Sequence, residues 1–271
     1  ILGNNVTNED VIRGELLVDE GDPFTNLSLD KSIAKIKSRN IFNKVESKVA
    51  QGSKPDLRVI NVSVEEKPTG EISAGAGVGT DGGSFAFAIR ENNWLGEGKN
   101  VAFDIEVNEE SLKGSINYVN PNYNFLGNSL GYSLSSTTND KPDQGFENTI
   151  VAASVNTRFE QYRDLYAKLG LSASYDDLQT EDNASSSLKK QAGTFSEFSA
   201  NYGFTYDKRN RVFMPTSGSI FGFSQTLPLH ADKSFIGNTI SYSKYKSFSE
   251  DIVGAGKFYF EKNKVKYQLF E

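Results

Sequence analysis

The chain has 271 residues, no cysteine, one histidine and a formal net charge of −6. The absence of cysteine excludes disulfides and thiolate metal sites, and the negative charge argues against a nucleic-acid partner. Apolar runs are too short for a transmembrane helix, but transmembrane strands, which are apolar only at alternate positions, are not excluded.

Residues 1–67 have the pattern of a small α+β domain. A capping sequence at residues 7–10 predicts a first helix, for which Gly21 is the expected end. Residues 26–38 predict a second helix, because their apolar side chains recur at helical spacing with lysines on the opposite face. Two strands should follow, and the first two residues of the chain are expected to end a preceding strand.

After Gly70, apolar and polar residues alternate in stretches of about ten residues. This alternation predicts about eleven strands within residues 71–262 and leaves residues 263–271 as an unassigned tail. Long polar connections at residues 137–148 and 176–193 should fall on the same side of the sheet, opposite short turns. The pattern favours an antiparallel transmembrane β-barrel, with a soluble β-sandwich as the alternative.

The stretch "GAGVGTDGG", residues 75–83, has glycine spacing similar to that of a dinucleotide-binding loop. Such a loop must open a helix, whereas strand patterns lie on both sides of these glycines, so the stretch predicts a hairpin. Gly75, Gly77 and Gly79 share one strand face. Either the strand bends or is closely approached there, or it is a weakly held edge that can pair with another strand.

Trp94, Asp104, Glu106 and His230 are candidates for a functional role. Trp94 lies at a predicted turn and is expected to anchor the protein at the membrane interface. Asp104 and Glu106 share a strand face, where a polar barrel interior explains them better than acid–base chemistry. His230 has no matching nucleophile, so we predict no catalytic residue, no metal site, no cofactor and no enzymatic activity.

Several motifs occur here in the order found in one family. They are "GNNVTNEDVIRGELLVDEGDPF" (3–24), "VINVSVEEKPTGEISAGAGVGTDGG" (59–83), "ENNWLGEGKNV" (91–101), "VNPNYNFLGNSLGYSL" (119–134) and "NYGFTYDKRNRVFMPTSGS" (201–219). Together they resemble the last POTRA repeat and the following barrel of the BamA family of outer-membrane β-barrel assembly factors. The resemblance covers nearly the whole chain.

The resemblance implies a sixteen-stranded barrel in the bacterial outer membrane, with POTRA domains in the periplasm. Its implied function is to fold and insert client β-barrel proteins, whose last strand pairs with the first barrel strand at a lateral gate. The implied gate-strand residues are Ile72, Ser73, Ala74, Gly75, Ala76, Gly77, Val78 and Gly79. The implied partners are unfolded client barrels, outer-membrane lipids and accessory assembly lipoproteins.

The chain also departs from the family pattern. It contains one POTRA-like unit that lacks most of its first strand, and about eleven of the sixteen barrel strands. It starts at Ile1 without a signal-peptide pattern, so we interpret it as a fragment. A superfamily transporter that secretes polypeptides is one alternative, and an outer-membrane barrel enzyme such as a lipase is another.

Overall fold

The computed structural model describes residues 1–79, 82–124, 126–211, 214–232, 235–249 and 252–265. They form a small leading domain, residues 1–67, and one large antiparallel sheet that begins at Gly70. No helix in this described part of the chain has the length and apolar character needed to cross a membrane.

The leading domain has the predicted order of two helices and two strands. These are α1 (Glu9–Arg13), α2 (Asn26–Ser38), β1 (Phe42–Gln51) and β2 (Arg58–Glu66). The second helix begins where predicted, because the Thr25 hydroxyl accepts a hydrogen bond from the Ser28 N–H at 3.1 Å and so caps it. The apolar faces of both helices pack on the hairpin, in a core that includes Ile12, Ile36, Ile41, Val45 and Val62.

The first helix is shorter than predicted. It ends at Arg13, and the Leu17 N–H donates to the hydroxyl of Ser32 on α2 at 2.8 Å instead of continuing the helix. The prediction that this helix ends at Gly21 is therefore wrong. The physical reason is that a neighbouring helix offers the backbone a hydrogen-bond partner, which helical periodicity alone does not reveal.

The start of the chain, expected to end a preceding strand, forms a single bridge to β2. The Leu2 N–H donates to the Val62 carbonyl and the Val64 N–H donates to the Leu2 carbonyl, both at 2.9 Å, in a parallel bridge. Val62 and Val64 are buried on the same face of β2, which agrees with the alternation in the sequence.

The described residues after the leading domain form one sheet of eleven strands, in which each strand pairs with its sequence neighbours. The strands are β3 (Gly70–Gly79), β4 (Gly82–Trp94), β5 (Lys99–Asn108), β6 (Ser111–Asn120), β7 (Ser129–Lys141), β8 (Phe146–Tyr162), β9 (Leu165–Thr180), β10 (Gly193–Asp207), β11 (Ser217–Ala231), β12 (Phe235–Ser247) and β13 (Val253–Val265). A short helix, α3 (Ser186–Lys189), lies between β9 and β10.

The sheet has one apolar face and one polar face. The register pairs Ile89 with Phe103, Phe103 with Ile116, and Ile116 with Leu134, so an apolar band crosses neighbouring strands. Large side chains of this band that are well exposed include Ile72, Phe85, Ile89, Leu112, Ile116, Tyr132, Leu134, Leu169, Leu171, Tyr175, Phe204, Phe221 and Phe258. On the other face, hydroxyl and amide groups link strands, as in the bond between Ser133 and Ser154 at 2.7 Å.

This arrangement decides between the two architectures that the sequence allowed. A soluble sandwich buries its apolar faces between two stacked sheets. The described strands from residue 70 onward form a single sheet with its apolar band exposed, which is the surface of a membrane barrel wall. The sandwich alternative is therefore wrong.

The loops differ from expectation in length. The predicted connections at residues 137–148 and 176–193 do lie on the side of the sheet away from the leading domain, but β7, β8 and β9 extend into them. Thr138 and Thr149 still bond across β7 and β8, at 3.0 Å. A polar stretch can therefore be either a loop or a strand that continues beyond the apolar band. The difference in length between the connections on the two sides of the sheet is smaller than predicted.

Candidate strand-pairing edge and domain junction

Strand β3 lies at one edge of the large sheet, and among the described strands its one partner is β4. Each of its residues is exposed. Its register with β4 is regular from Gly70, opposite Glu91, to Gly79, opposite Gly82. Within the described part of the chain, this edge therefore presents backbone groups without a strand partner along its length.

The register identifies which backbone groups these are. Just before β3, the Thr69 carbonyl accepts a hydrogen bond from the Asn92 N–H at 3.3 Å. In an antiparallel pair, hydrogen-bonded residues alternate with residues whose N–H and C=O point away from the neighbouring strand. Thr69 is a hydrogen-bonded position, so every second residue after it also bonds to β4. The residues between them direct their backbone groups to the open edge: Ile72, Ala74, Ala76 and Val78. Their side chains also lie on the apolar face, so the free groups belong to lipid-facing residues.

Three of the four glycines of β3, Gly75, Gly77 and Gly79, lie on the polar face. A Cβ atom added at Gly75 or Gly79 would meet nothing within 4 Å, and one at Gly77 would meet only the Ser84 hydroxyl, at 3.2 Å. None of the three has a positive φ angle. Among the described residues no close approach requires glycine at Gly75 or Gly79, so the weakly held edge stays a prediction.

Charged side chains border the glycines on the polar face. Arg90 and Asp104 form an ion pair at 2.6 Å, and Lys113 and Glu106 form one at 3.4 Å. These residues and Gly75 line a cavity of about 650 Å³. The two carboxylates that share a strand face each have a cationic partner, as expected of a polar barrel interior.

A β-bulge at the end of β4 sets the directions of the Trp94 and Asn93 side chains. Glu91 pairs with Val101, but Trp94 pairs with Lys99, so β4 carries one extra residue between them. The bulge reverses the alternation and puts Trp94 on the apolar face, where it is 45% exposed. Asn93 points instead into the junction with the leading domain, where it is buried. The predicted anchoring role of Trp94 stays a prediction.

The β4–β5 turn forms the junction with the leading domain. The Asn93 amide donates to the Thr7 hydroxyl at 2.9 Å, and its carbonyl oxygen accepts from the Gly98 N–H at 2.7 Å. The Asn8 N–H donates to the Gly96 carbonyl at 2.8 Å. A second turn contributes through Asn122, whose amide donates to the Gly14 carbonyl at 2.9 Å. The leading domain is thus attached to the first hairpins of the sheet.

Glycine is required at this junction for steric reasons. Gly96 has a φ of +73°, and a Cβ atom there would lie 2.1 Å from the carbonyl oxygen of Val6. Gly98 has a φ of +62°, and its Cβ would lie 2.6 Å from Val11. These two glycines were not identified from the sequence, although the glycines of "NNWLGEG" are a signal for positive φ angles.

Glu66 holds the loop at residues 5–7, which contacts the β4–β5 turn. Its carboxylate accepts hydrogen bonds from the backbone N–H groups of Asn5, Val6 and Thr7, at 2.9, 3.0 and 2.6 Å. Burial raises the pKa of Glu66, but the hydrogen bonds from Thr7, Val6 and Asn5 outweigh it, and the net pKa is lowered. The ionised carboxylate is therefore the form that holds the loop.

A buried ion pair lies behind the junction. Glu15 and Arg39 are 3.7 Å apart, and the Arg39 guanidinium also donates to the Gly98 carbonyl. Burial raises the pKa of Glu15 in spite of the attraction to Arg39, and burial lowers the pKa of Arg39. The desolvation cost thus exceeds the benefit of this pair alone, and the contact to Gly98 gives Arg39 an additional partner.

His230 lies on β11, opposite Phe198, where the register with β10 shifts. Nearby, the Ser196 hydroxyl donates to Asp232 at 3.1 Å. Within the described ranges, no hydroxyl group hydrogen-bonds to the imidazole of His230, and no group of His, Asp and Glu side chains has the arrangement of a metal site. The geometry provides no support for a triad at this histidine.

The sequence matches two known domain families. Residues 1–67 match the POTRA family, described as a surface antigen variable number repeat, and residues 93–268 match the Omp85 superfamily domain. The first match coincides with the leading domain and the second covers most of the sheet. The assignment of the leading domain as a POTRA repeat is thereby confirmed.

Curated relatives agree with these matches. The chain is 31% identical over 136 residues to the outer membrane protein assembly factor BamA of Neisseria meningitidis serogroup B, covering 49% of this chain and 17% of the relative. It is 26% identical over 224 residues to the protein of the same name from Neorickettsia risticii, covering 80% of this chain and 30% of the relative. The chain thus spans less than a third of the length of these two relatives.

Solved structures show the same fold. The structure of BamA from Haemophilus ducreyi lacking POTRA domains 1–3 superposes with a TM-score of 0.71 at 21% identity, over 96% of this chain and 54% of the other. CdiB from Acinetobacter baumannii superposes with a TM-score of 0.61 at 10% identity, over 99% of this chain and 53% of the other. The resemblance to the BamA family is confirmed, as is the outer-membrane location with the POTRA domain in the periplasm. The chain belongs to the Omp85 superfamily, as a POTRA domain joined to strands of an outer-membrane β-barrel.

Proposed function

We propose that this protein folds and inserts β-barrel proteins into the outer membrane by pairing strand β3 with a strand of the client. The observation that carries the proposal is the geometry of β3, which pairs on one side among the described strands and directs the backbone groups of its lipid-facing residues to the other side. Its curated relatives are outer membrane protein assembly factors.

The physical basis is the lack of hydrogen-bond partners in lipid. A backbone N–H or C=O group in the hydrocarbon core that lacks a partner costs several kcal/mol. A client strand that reaches the membrane before its own barrel closes faces this cost at each residue. Pairing with β3 supplies hydrogen-bond partners to one side of the client strand, so the client is stabilised while its own barrel is still incomplete.

The partners follow from this mechanism. Unfolded barrel proteins are the clients, outer-membrane lipids surround the apolar band, and accessory lipoproteins bind at the POTRA domain, where strand addition is an available mode. The proposed activity requires no covalent chemistry, and we therefore assign no catalytic residue. Residues 72–79 are the proposed client-pairing segment, with the outward backbone groups of Ile72, Ala74, Ala76 and Val78 as its contacts.

Proline substitutions separate client pairing from the integrity of β3. Ala76→Pro removes a donor that points to the open edge, which an edge strand tolerates. Gly75→Pro removes a donor that bonds to β4. Residues 1–271 contain no cysteine. In a full-length protein whose other cysteines, if any, are replaced, a single cysteine introduced at Ala74 can be crosslinked to a cysteine in the last strand of a client during assembly. We expect Ala76→Pro to abolish most of the crosslink while the amide of Ala86 on β4 stays protected from exchange.

Gly75→Pro serves as the matched comparison. It should lower both the crosslink yield and the exchange protection of Ala86, because it damages the β3–β4 pair itself. If Ala76→Pro leaves crosslinking to the client unchanged at every register tested, the edge is not the pairing site and the proposal fails.

A further inference from the structure

Three large apolar side chains are exposed where the POTRA domain meets the barrel wall. Val6 of the POTRA domain is 70% exposed, Trp94 at the end of β4 is 45% exposed, and Leu95 in the following turn is 74% exposed. Exposed apolar residues that occur singly need no explanation, but adjacent ones mark a surface that contacts another apolar phase.

The backbone holds each of these side chains in place. The bulge in β4 puts Trp94 on the apolar face. Leu95 has a φ of +54°, a left-handed conformation that is unfavourable for a bulky residue and therefore has to be enforced by its surroundings. The carbonyl of Val6 lies against Gly96, which follows Leu95, and its N–H donates to Glu66 at 3.0 Å. The POTRA loop and the barrel turn thus form one continuous surface.

This surface continues the lipid-facing band of the barrel. Trp94 is opposite Lys99, and the next residue of β5 on the same face is Val101, which pairs with Tyr118 of β6. The Lys99 ammonium group bonds to Glu97 in the same turn. A tryptophan, a tyrosine and a lysine at the end of an apolar band form the composition of a membrane interface, where aromatic rings sit at headgroup level and lysine extends to water.

We infer that the POTRA domain itself touches the membrane, with Val6 in contact with lipids of the periplasmic leaflet beside Trp94 and Leu95. The occupant is lipid because the surface is continuous with the band that lipid already covers. The contact would hold the POTRA domain close to the membrane beneath β3 and β4. It depends on the position of the barrel in the membrane and is independent of client pairing.

The inference can be tested with nitroxide spin labels on single cysteines, since residues 1–271 have none and any cysteine outside them can be replaced. Labels are placed at Val6, at Ile72 as a lipid-facing reference, and at Leu27 as a reference on the POTRA surface, where it is 64% exposed. The full-length protein is reconstituted into phosphatidylethanolamine–phosphatidylglycerol vesicles. The measurement is the ratio of collisions with oxygen, which partitions into lipid, to collisions with a water-soluble nickel chelate.

We expect the oxygen-to-nickel ratio at Val6 to exceed that at Leu27 several-fold and to approach the ratio at Ile72. A ratio at Val6 equal to that at Leu27 overturns the inference, because the loop is then in water. Low accessibility to both reagents also overturns it, because another protein segment then covers the loop. If the label at Ile72 also reports water, the barrel assignment fails, which is a different result from a failure at Val6 alone.

Discussion

Gly96 and Gly127 have nearly the same backbone conformation but very different surroundings. Their φ angles are +73° and +78°, yet a Cβ atom would meet the Val6 carbonyl oxygen at 2.1 Å at Gly96 and nothing within 4 Å at Gly127. Left-handed geometry costs an L-residue about 1–2 kcal/mol at either position. Only at Gly96 does a methyl group also push backbone atoms of the POTRA domain away.

We therefore expect Gly96→Ala to open the POTRA–barrel junction and Gly127→Ala to leave it closed. The measurement is the rate at which a protease cleaves the linker at residues 67–70 in vesicle-reconstituted protein. Cleavage should be several-fold faster in Gly96→Ala than in the natural protein, because local opening exposes the linker. Equal rates in the two variants would show that the strain of the left-handed conformation, rather than the contact with Val6, controls the junction.

The ionised carboxylate of Glu66 attaches the loop at residues 5–7 to β2, so we expect the stability of the POTRA domain to depend on pH. The folded-state pKa of Glu66 is lowered, and an unperturbed Glu has a pKa of about 4.3. Its stabilising contribution is therefore complete above about pH 4.3 and is lost as the pH falls through the lower folded-state pKa. We expect the urea midpoint of the POTRA domain, followed by helical circular dichroism, to fall in this acidic window.

Glu66→Gln should lower the midpoint at neutral pH and remove most of this acid dependence, because an amide accepts the three N–H groups less well than a carboxylate. Glu65→Gln is the matched control, since it removes a neighbouring charge without touching the loop. The assignment is contradicted if both variants keep the acid dependence of the natural protein.

The elements that sequence could predict are those set by local periodicity. Helix α2 and the alternation of β2 and β5 follow from the spacing of their apolar residues, and the structure confirms them. The early end of α1 depends on Ser32 of another helix, and the direction of Trp94 depends on a bulge in β4. Such features arise from partners distant in sequence, so no local pattern reports them.

The candidate site also has a part that sequence could predict and a part that it could not. Residues 72–79 were recognisable from their glycine spacing and the family resemblance, but their division into edge-facing and β4-facing residues required the register that Thr69 and Asn92 define. The junction residues Asn93 and Glu66 were not identified from sequence, because their partners lie 86 and about sixty residues away. Their assignment as the attachment point of the POTRA domain therefore comes from the structure alone.

For the whole molecule, the single tryptophan of the chain reports its depth in the membrane. If the barrel spans the bilayer with its POTRA end in the periplasm, Trp94 lies near the headgroups of one leaflet. We expect its fluorescence in vesicles to be blue-shifted and to be quenched most by lipids brominated near the headgroup. Strong quenching by aqueous iodide, equal to that in the urea-unfolded protein, would contradict this placement.

The strand order of the sheet is the order of the chain, from β3 to β13. Each adjacent pair from β3 to β13 can thus form as a local hairpin, which closes a short loop and costs little chain entropy. Within the described sheet, β3 is the first strand in chain order, so no earlier strand can cover its outer side by forming a local hairpin. A strand of another polypeptide that pairs at that side competes with slow, long-range closure of the barrel and not with fast formation of a local hairpin. The strand of the other polypeptide therefore has a kinetic advantage.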